Sequence, residues 1–214
     1  MSTLQTKKPD KRAYHHGDLR NALVDAAVAA ARRDGPGAVL LRDIARQVGV
    51  SHNAGYRHFA SRDDLLTAVS ERGLAELAAN MQRGLDRAPK RREPRAQARQ
   101  RLRAIGRAYV EFAVAEPGLF RTIWAAAAYP VATPEEGMTV AAASDPYLLL
   151  NAVLDDLVAV GAIPKARRPY SETAAWAAVH GLATLLIDGP LAAMPPAEVD
   201  KALDRLCDVI DAGL

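Results

Sequence analysis

The sequence predicts an all-α fold: an N-terminal three-helix unit carrying a helix-turn-helix, joined to a larger helical unit, about nine helices in total. Three observations lead there. Along most of the 214 residues the apolar positions recur at spacings of three and four, and nowhere do they alternate as a strand would. Only 5% of residues are aromatic while alanine is abundant, which favours helix over strand. Glycine and proline groups punctuate the chain at helix-length intervals. Half the residues are hydrophobic, enough for a sizeable core.

Each element follows from local pattern. Residues 1–14, with Lys7, Lys8, Lys11 and Arg12, show no periodicity and read as a flexible basic arm. Between 17 and 33, Leu19, Leu23, Ala26, Ala27 and Ala30 share one helical face, and Gly35-Pro36-Gly37 ends that helix. A short helix over 41–48 buries Leu41, Ile44, Ala45 and Val48, and Gly49 suits its left-handed end. Ser51 is placed to cap a third helix reaching Phe59. Ser61 caps a fourth, which runs to about 85 with Asp63 and Asp64 in its first turn, matching the helix dipole. Pro89 and Pro94 bracket a break. Further helices span about 95–115, 119–128, 146–160, 169–187 and 196–212, and 129–145 reads as a loop. The 169–187 helix is apolar almost all round, which implies burial on two sides. The chain thus divides into an arm (1–14), a helix-turn-helix domain (15–66) and a larger helical domain (67–214).

Composition excludes several classes. No apolar run approaches the ~20 residues of a membrane span, and the polar start has no apolar signal region, so a cytoplasmic protein with no membrane partner is expected. Cys207 is the only cysteine, which rules out an internal disulfide framework and a cysteine-based zinc finger; it reads as a semi-buried helical thiol. The net charge of +3 hides segregation: residues 1–62 carry +6 and 83–107 carry +8, while 108–214 carry −8. A basic front suits a polyanionic partner, most simply nucleic acid. The 83–107 stretch reads as a solvated linker and helix face rather than part of that surface.

The functional motif is the pair of short helices around Gly49-Val50-Ser51. A short helix, a tight turn and a second short helix can place the second helix in a major groove about 12 Å wide. Behind the Ser51 cap, His52 and Asn53 stand where side chains meet base edges, and an asparagine amide can read adenine. Tyr56, Arg57 and His58 follow with polar tips suited to phosphate, contacts that position without reading sequence. Gly55 weakens the helix by ~1 kcal/mol against alanine and is expected to let backbone approach DNA closely.

The run LRDIARQVGVSHNAGYRHFASRDDLL, from Leu41 to Leu66, resembles the TetR family of bacterial transcriptional regulators. Arg-Asp-Ile-Ala, Gly-Val-Ser, Tyr-x-His-Phe and Ser-Arg-Asp-x-Leu-Leu carry the likeness in combination, and it covers residues 15–66 well. The resemblance implies that Tyr56, His58 and Arg62 contact phosphates and that Arg42 reaches DNA from the start of the second helix. Two departures stand out: Ala54-Gly55 where the family often has Thr-Leu, and Leu40-Leu41 where it often has a capping Thr or Ser. The first removes one base or phosphate contact; the second leaves the second helix uncapped, a loss of ~1 kcal/mol.

A second likeness lies in Trp176-x-x-x-His180-Gly181, with GLFRTIW after Pro117, and is similar to the TetR subclass named for its Trp, His and Gly. The resemblance implies an effector pocket and a homodimer whose four-helix seam uses 169–187 and 196–212. Tyr109, Phe112, Phe120, Trp124, Tyr147, Trp176 and His180 are the pocket candidates, each of which also fits a packed core.

No catalytic or metal site and no cofactor are expected. Asp155-Asp156 point about 100° apart on a helix and, with Glu135-Glu136, read as solvated faces. His15-His16 have no third ligand at a familiar spacing. Gly49-x-Ser51-x-Asn53 lies on no strand and fails the nucleophile-elbow pattern. The sequence is therefore read as a ligand-responsive DNA-binding regulator, a repressor by family habit, that binds a near-palindromic operator as a homodimer and is released by an unidentified small-molecule effector. A protein-interaction module that has lost DNA binding, or a small helical enzyme, are the alternatives.

Overall fold

The computed structural model describes residues 16–125 and 145–213, with side chains from Leu19 onward. Among them are nine α-helices and no strand: α1 His16–Asp34, α2 Leu41–Val48, α3 His52–Tyr56, α4 Arg62–Arg87, α5 Pro94–Ala115, α6 Pro117–Ala125, α7 Pro146–Ala159, α8 Ser171–Ile187 and α9 Pro196–Gly213. One-turn 3-10 helices sit at Pro36–Ala38 and Lys165–Arg167. The expected basic arm, His15, Glu135-Glu136 and most of the expected 129–145 loop lie outside the described residues. Described helices are too short or too polar to cross a membrane.

The N-terminal core is where the helical faces of α1, α2 and α4 meet. Leu23, Ala27, Ile44, Ala45, Phe59, Leu65 and Val69 are buried together, each large aliphatic side chain contributing about 1.5–3 kcal/mol. Ser61 and Asp64 form a reciprocal capping box that starts α4. That helix continues without a break from the reading unit into the larger unit, where it packs on α5 and α6.

Three element ends differ from expectation. α3 stops at Tyr56 instead of reaching Phe59. The amides of His58 and Phe59 both donate to the Gly55 carbonyl, and the turn drops Phe59 to 3% exposure beneath the Arg20 guanidinium, 5.1 Å from the ring centre. A continuing helix would not place that ring in the core. α6 starts at Pro117 rather than Leu119 and ends at Ala125, a first-turn proline losing no helical hydrogen bond. α8 starts at Ser171 because Tyr170 adopts the left-handed conformation at φ 64, which an L side chain cannot propagate into a helix.

α6 wedges between the two units. A β-carbon on Gly118 would stand 2.3 Å from the Ala31 carbonyl oxygen and 2.5 Å from that of Arg32, so α6 meets the end of α1 backbone to backbone. Ser70 of α4 donates to the Ile123 carbonyl at 2.8 Å. Arg32 joins the same junction by pairing with Glu76 of α4 and with Glu116 ahead of α6.

The charge segregation is resolved in space, which corrects the solvated reading of 83–107. Arg99, Arg103 and Arg107, one turn apart on α5, face the acidic edge of α9. Arg103 pairs with Asp208 at 2.5 Å and Asp211 at 3.4 Å, Arg107 with Asp200 and Asp204 at 2.6 Å, and Arg99 with Asp211 at 3.5 Å. Arg101 pairs with Asp156 of α7. Asp155 holds Arg168 at 2.7 Å, so Asp155-Asp156 are structural ion-pair partners rather than merely solvated. Each exposed pair contributes up to about 1 kcal/mol. Residues 83–92 keep their cations on the surface, Arg87, Lys90, Arg91 and Arg92 all being exposed.

Candidate nucleic-acid interface and ligand cavity

The turn between α2 and α3 is built from backbone chemistry. Gly49 is left-handed at φ 81, its amide donates to Arg46 and that of Val50 to Ala45. This closes α2 in a Schellman arrangement. Ser51 then accepts from the Ala54 amide at 3.3 Å, which fixes the N-terminus of α3 and its direction. Leu40 caps α2 with no side-chain bond, as Leu40-Leu41 implied.

α3 presents one side outward. Ser51, His52, Asn53, Tyr56 and Arg57 are exposed, Tyr56 by 45%. His52 and Tyr56 stack obliquely with ring centres 4.5 Å apart, which braces both on the outer surface. His58 is half-buried. Arg42, exposed in the first turn of α2, flanks the same surface. The structure therefore brings seven of the eight expected contact residues to one side with only partial cover.

Arg62 is placed differently. Its Nε donates to the Val39 carbonyl at 3.0 Å and its Nη2 to that of Pro36 at 2.6 Å. It clamps the α1–α2 connection onto the start of α4, a role that the sequence motif gave no sign of.

Gly55 corrects the expectation that it serves close approach to DNA. It is buried on the inner side of α3, where a β-carbon would lie 3.3 Å from Ala45 Cβ and 3.4 Å from Leu41 Cδ1. The glycine lets α3 sit on α2, not on a ligand.

Behind α5 lies a cavity of about 50 Å³. Four of the seven expected pocket residues line it: Tyr109, Trp124, Tyr147 and Trp176. Phe112 and Phe120 are core, and Phe120 stands edge-on to Tyr109 with ring centres 5.6 Å apart. His180 lies one layer back. Its Nδ1 is 2.8 Å from the Tyr109 hydroxyl, which also accepts from Trp176 Nε1 at 3.2 Å. Burial holds the His180 pKa below the ordinary 6.5, favouring the neutral ring. Burial likewise raises the Cys207 thiol, which lines the cavity as a packed neutral group. Missed by the sequence reading were Met81, Leu102, Ile105, Gly106, Pro146, Leu150, Ala175, Val179 and Ile210. Leu102, Ile105 and Tyr109 do share a helical face, a signal that marks burial but not which side is left uncovered.

Among the described residues no group of three or more His, Cys, Asp or Glu is placed to hold a metal ion.

Residues 23–69 match the family described as bacterial regulatory proteins, tetR family, and residues 102–210 match the tetracyclin repressor-like, C-terminal domain. The chain belongs to the TetR family. TetR regulators control transcription through a helix-turn-helix DNA-binding domain and are not enzymes. Among relatives, an uncharacterized HTH-type transcriptional regulator of Mycobacterium tuberculosis is 33% identical over 133 residues, 58% of this chain and 50% of its own length. The chain spans about half the length of the curated relatives it matches. A protein of unknown function from Rhodococcus sp. RHA1 superposes with a TM-score of 0.72 at 31% identity, covering 95% of this chain and 99% of that one. A TetR variant from Acinetobacter baumannii AYE, solved in complex with minocycline, gives 0.59 at 21% identity over 96% of each chain. That second likeness is one of fold.

Proposed function

We propose that this TetR-family chain is a ligand-responsive DNA-binding regulator acting in the cytoplasm as a homodimer, on a near-palindromic operator, as a repressor released by a small-molecule effector. The observation that carries the reading is the division of α3 into two sides. Gly55 seats one on α2, while His52, Asn53, Tyr56 and Arg57 stay exposed on the other. In this reading His52 and Asn53 meet base edges from behind the Ser51 cap. Tyr56, Arg57, His58 and Arg42 hold phosphates, and Arg62 fixes the unit that presents them. The units 15–66 and 67–214 are then a DNA-binding domain and an effector-binding, dimerising domain that share α4.

Dimerisation is supported by the outer side of α8 and α9. Leu185 and Val209 are 43% and 55% exposed, and a β-carbon on Gly181 would meet nothing within 4 Å. This small-residue, apolar strip suits a partner helix, and covering it would bury α8 on both sides. Placement in the Trp-His-Gly subclass is supported by Trp176 and His180 meeting on one tyrosine hydroxyl. The effector cavity would act through α6: Trp124 lines it, and the same helix abuts α1 at Gly118 and α4 at Ser70. Minocycline on the Acinetobacter relative is a precedent in the family for a bound small molecule.

Selection from a random duplex pool, followed by footprinting, tests the reading. The expected result is enrichment of an inverted repeat with half-sites about 34–36 Å apart. Binding without sequence preference, or no binding, overturns it in favour of an interaction module.

A further inference from the structure

The charged side chains that touch the cavity are Arg99, Arg103 and Asp211. All are committed inside the protein. Arg103 pairs with Asp208 at 2.5 Å and Asp211 at 3.4 Å, and Arg99 pairs with Asp211 at 3.5 Å. Arg99 also donates to the Ala162 carbonyl at 3.4 Å. A carboxylate entering here would have to displace Asp208 or Asp211 from an arginine, and an ammonium would have to displace an arginine from Asp211. Either exchange leaves a buried charge unpaired, which costs several kcal/mol in general.

The remaining wall is apolar and largely aromatic. Trp124 and Trp176 stand with ring centres 5.3 Å apart and tilted by 49°, and Tyr147 meets Trp176 edge-on at 6.1 Å. A further ring placed among them continues an edge-to-face arrangement, the favoured geometry of aromatic groups. Size sets the third limit. At about 50 Å³ the space exceeds the ~10–15 Å³ that one water requires. With the flexible Met81 side chain yielding, it accepts a single ring and not an extended ring system.

We infer that this cavity takes a small uncharged molecule built on one aromatic ring, and that it rejects organic anions and cations of the same size. The inference rests on the regulator reading only for its consequence at DNA; the ligand class stands on the cavity alone.

The test uses the full chain without DNA and four matched probes: phenol, benzoate, benzylammonium and cyclohexanol. Binding is followed by calorimetry and by the emission of the chain's two tryptophans, both of which line the cavity. Phenol is expected to bind and shift that emission, and benzoate and benzylammonium to bind at least about ten-fold more weakly. Cyclohexanol should fall in between. Gly106 lines the cavity, and a β-carbon there would meet only Val179 Cγ1 at 3.4 Å. Gly106→Ala is therefore accommodated and should weaken phenol binding with circular dichroism unchanged. Gly106→Leu should abolish it. Equal or tighter binding of either ion, no binding of phenol, or phenol binding indifferent to both Gly106 variants overturns the inference. Phenol binding that fails to release DNA supports the ligand class and refutes the effector role, so the two readings fail separately.

Discussion

Leu41 Cδ1 lies 3.4 Å from the point where a β-carbon on Gly55 would stand. The leucine is the residue that replaces the family's usual capping Thr or Ser ahead of Arg42, and the glycine replaces its usual Leu ahead of Tyr56. The two departures are thus one exchange. The side chain that α3 lacks is supplied from α2, which keeps α3 seated despite Gly55.

A double-mutant cycle measures that exchange. Gly55→Leu alone should overfill the contact and cost about 1–3 kcal/mol, and Leu41→Ala alone should open it and cost about 2–5 kcal/mol. Together they should cost clearly less than the two separately, a coupling of about 1 kcal/mol or more in thermal unfolding. Simple additivity would refute the exchange.

Arg62 and Arg57 should separate by readout. Arg62→Ala removes the donors held by Val39 and Pro36, so melting temperature should fall, by about 1–3 kcal/mol of stability. Arg57 is exposed on α3. Its alanine variant should leave stability within about 0.5 kcal/mol, weaken binding to all DNA sequences alike, and lower the salt slope by about one. An unchanged melting temperature in Arg62→Ala would show that its two carbonyl bonds carry no stability.

The buried His180 gives a pH dependence with a defined sign. Its native pKa is lowered by burial from the ordinary 6.5, so as pH falls below that value the unfolded chain takes up the proton first. Native stability should therefore decline from pH 6.5 downward and level off once the native ring also protonates. His180→Gln keeps a hydrogen-bond partner for Tyr109 but cannot titrate, and its melting temperature should decline less steeply over the same range. Parallel declines in the two proteins would contradict the assignment.

Much of the site was legible before any coordinates. The Gly49 turn, the Ser51 cap and the outward series His52, Asn53, Tyr56 and Arg57 are local patterns, governed by backbone conformation and helix period. Their positions follow from residues only a few apart in the chain. The cavity was only half legible. The aromatic residues drew notice through their size, but the choice between lining and core separates Trp124 from Phe120 on the same helix, and that depends on what α5, α7, α8 and α9 leave uncovered.

By itself the sequence determined the helical class, the helix-turn-helix with its exposed reading side, and the family, since periodicity, caps and turn residues are short-range constraints. Only the tertiary structure decided that Gly55 faces Leu41, that Arg62 is a clamp, and that the basic 83–107 block is largely answered by α7 and α9. Each depends on atoms brought together across a wide separation in sequence. The physical reason is that helix formation is written in neighbours three and four apart, whereas ion pairing and close packing belong to whichever helices the folded core sets side by side.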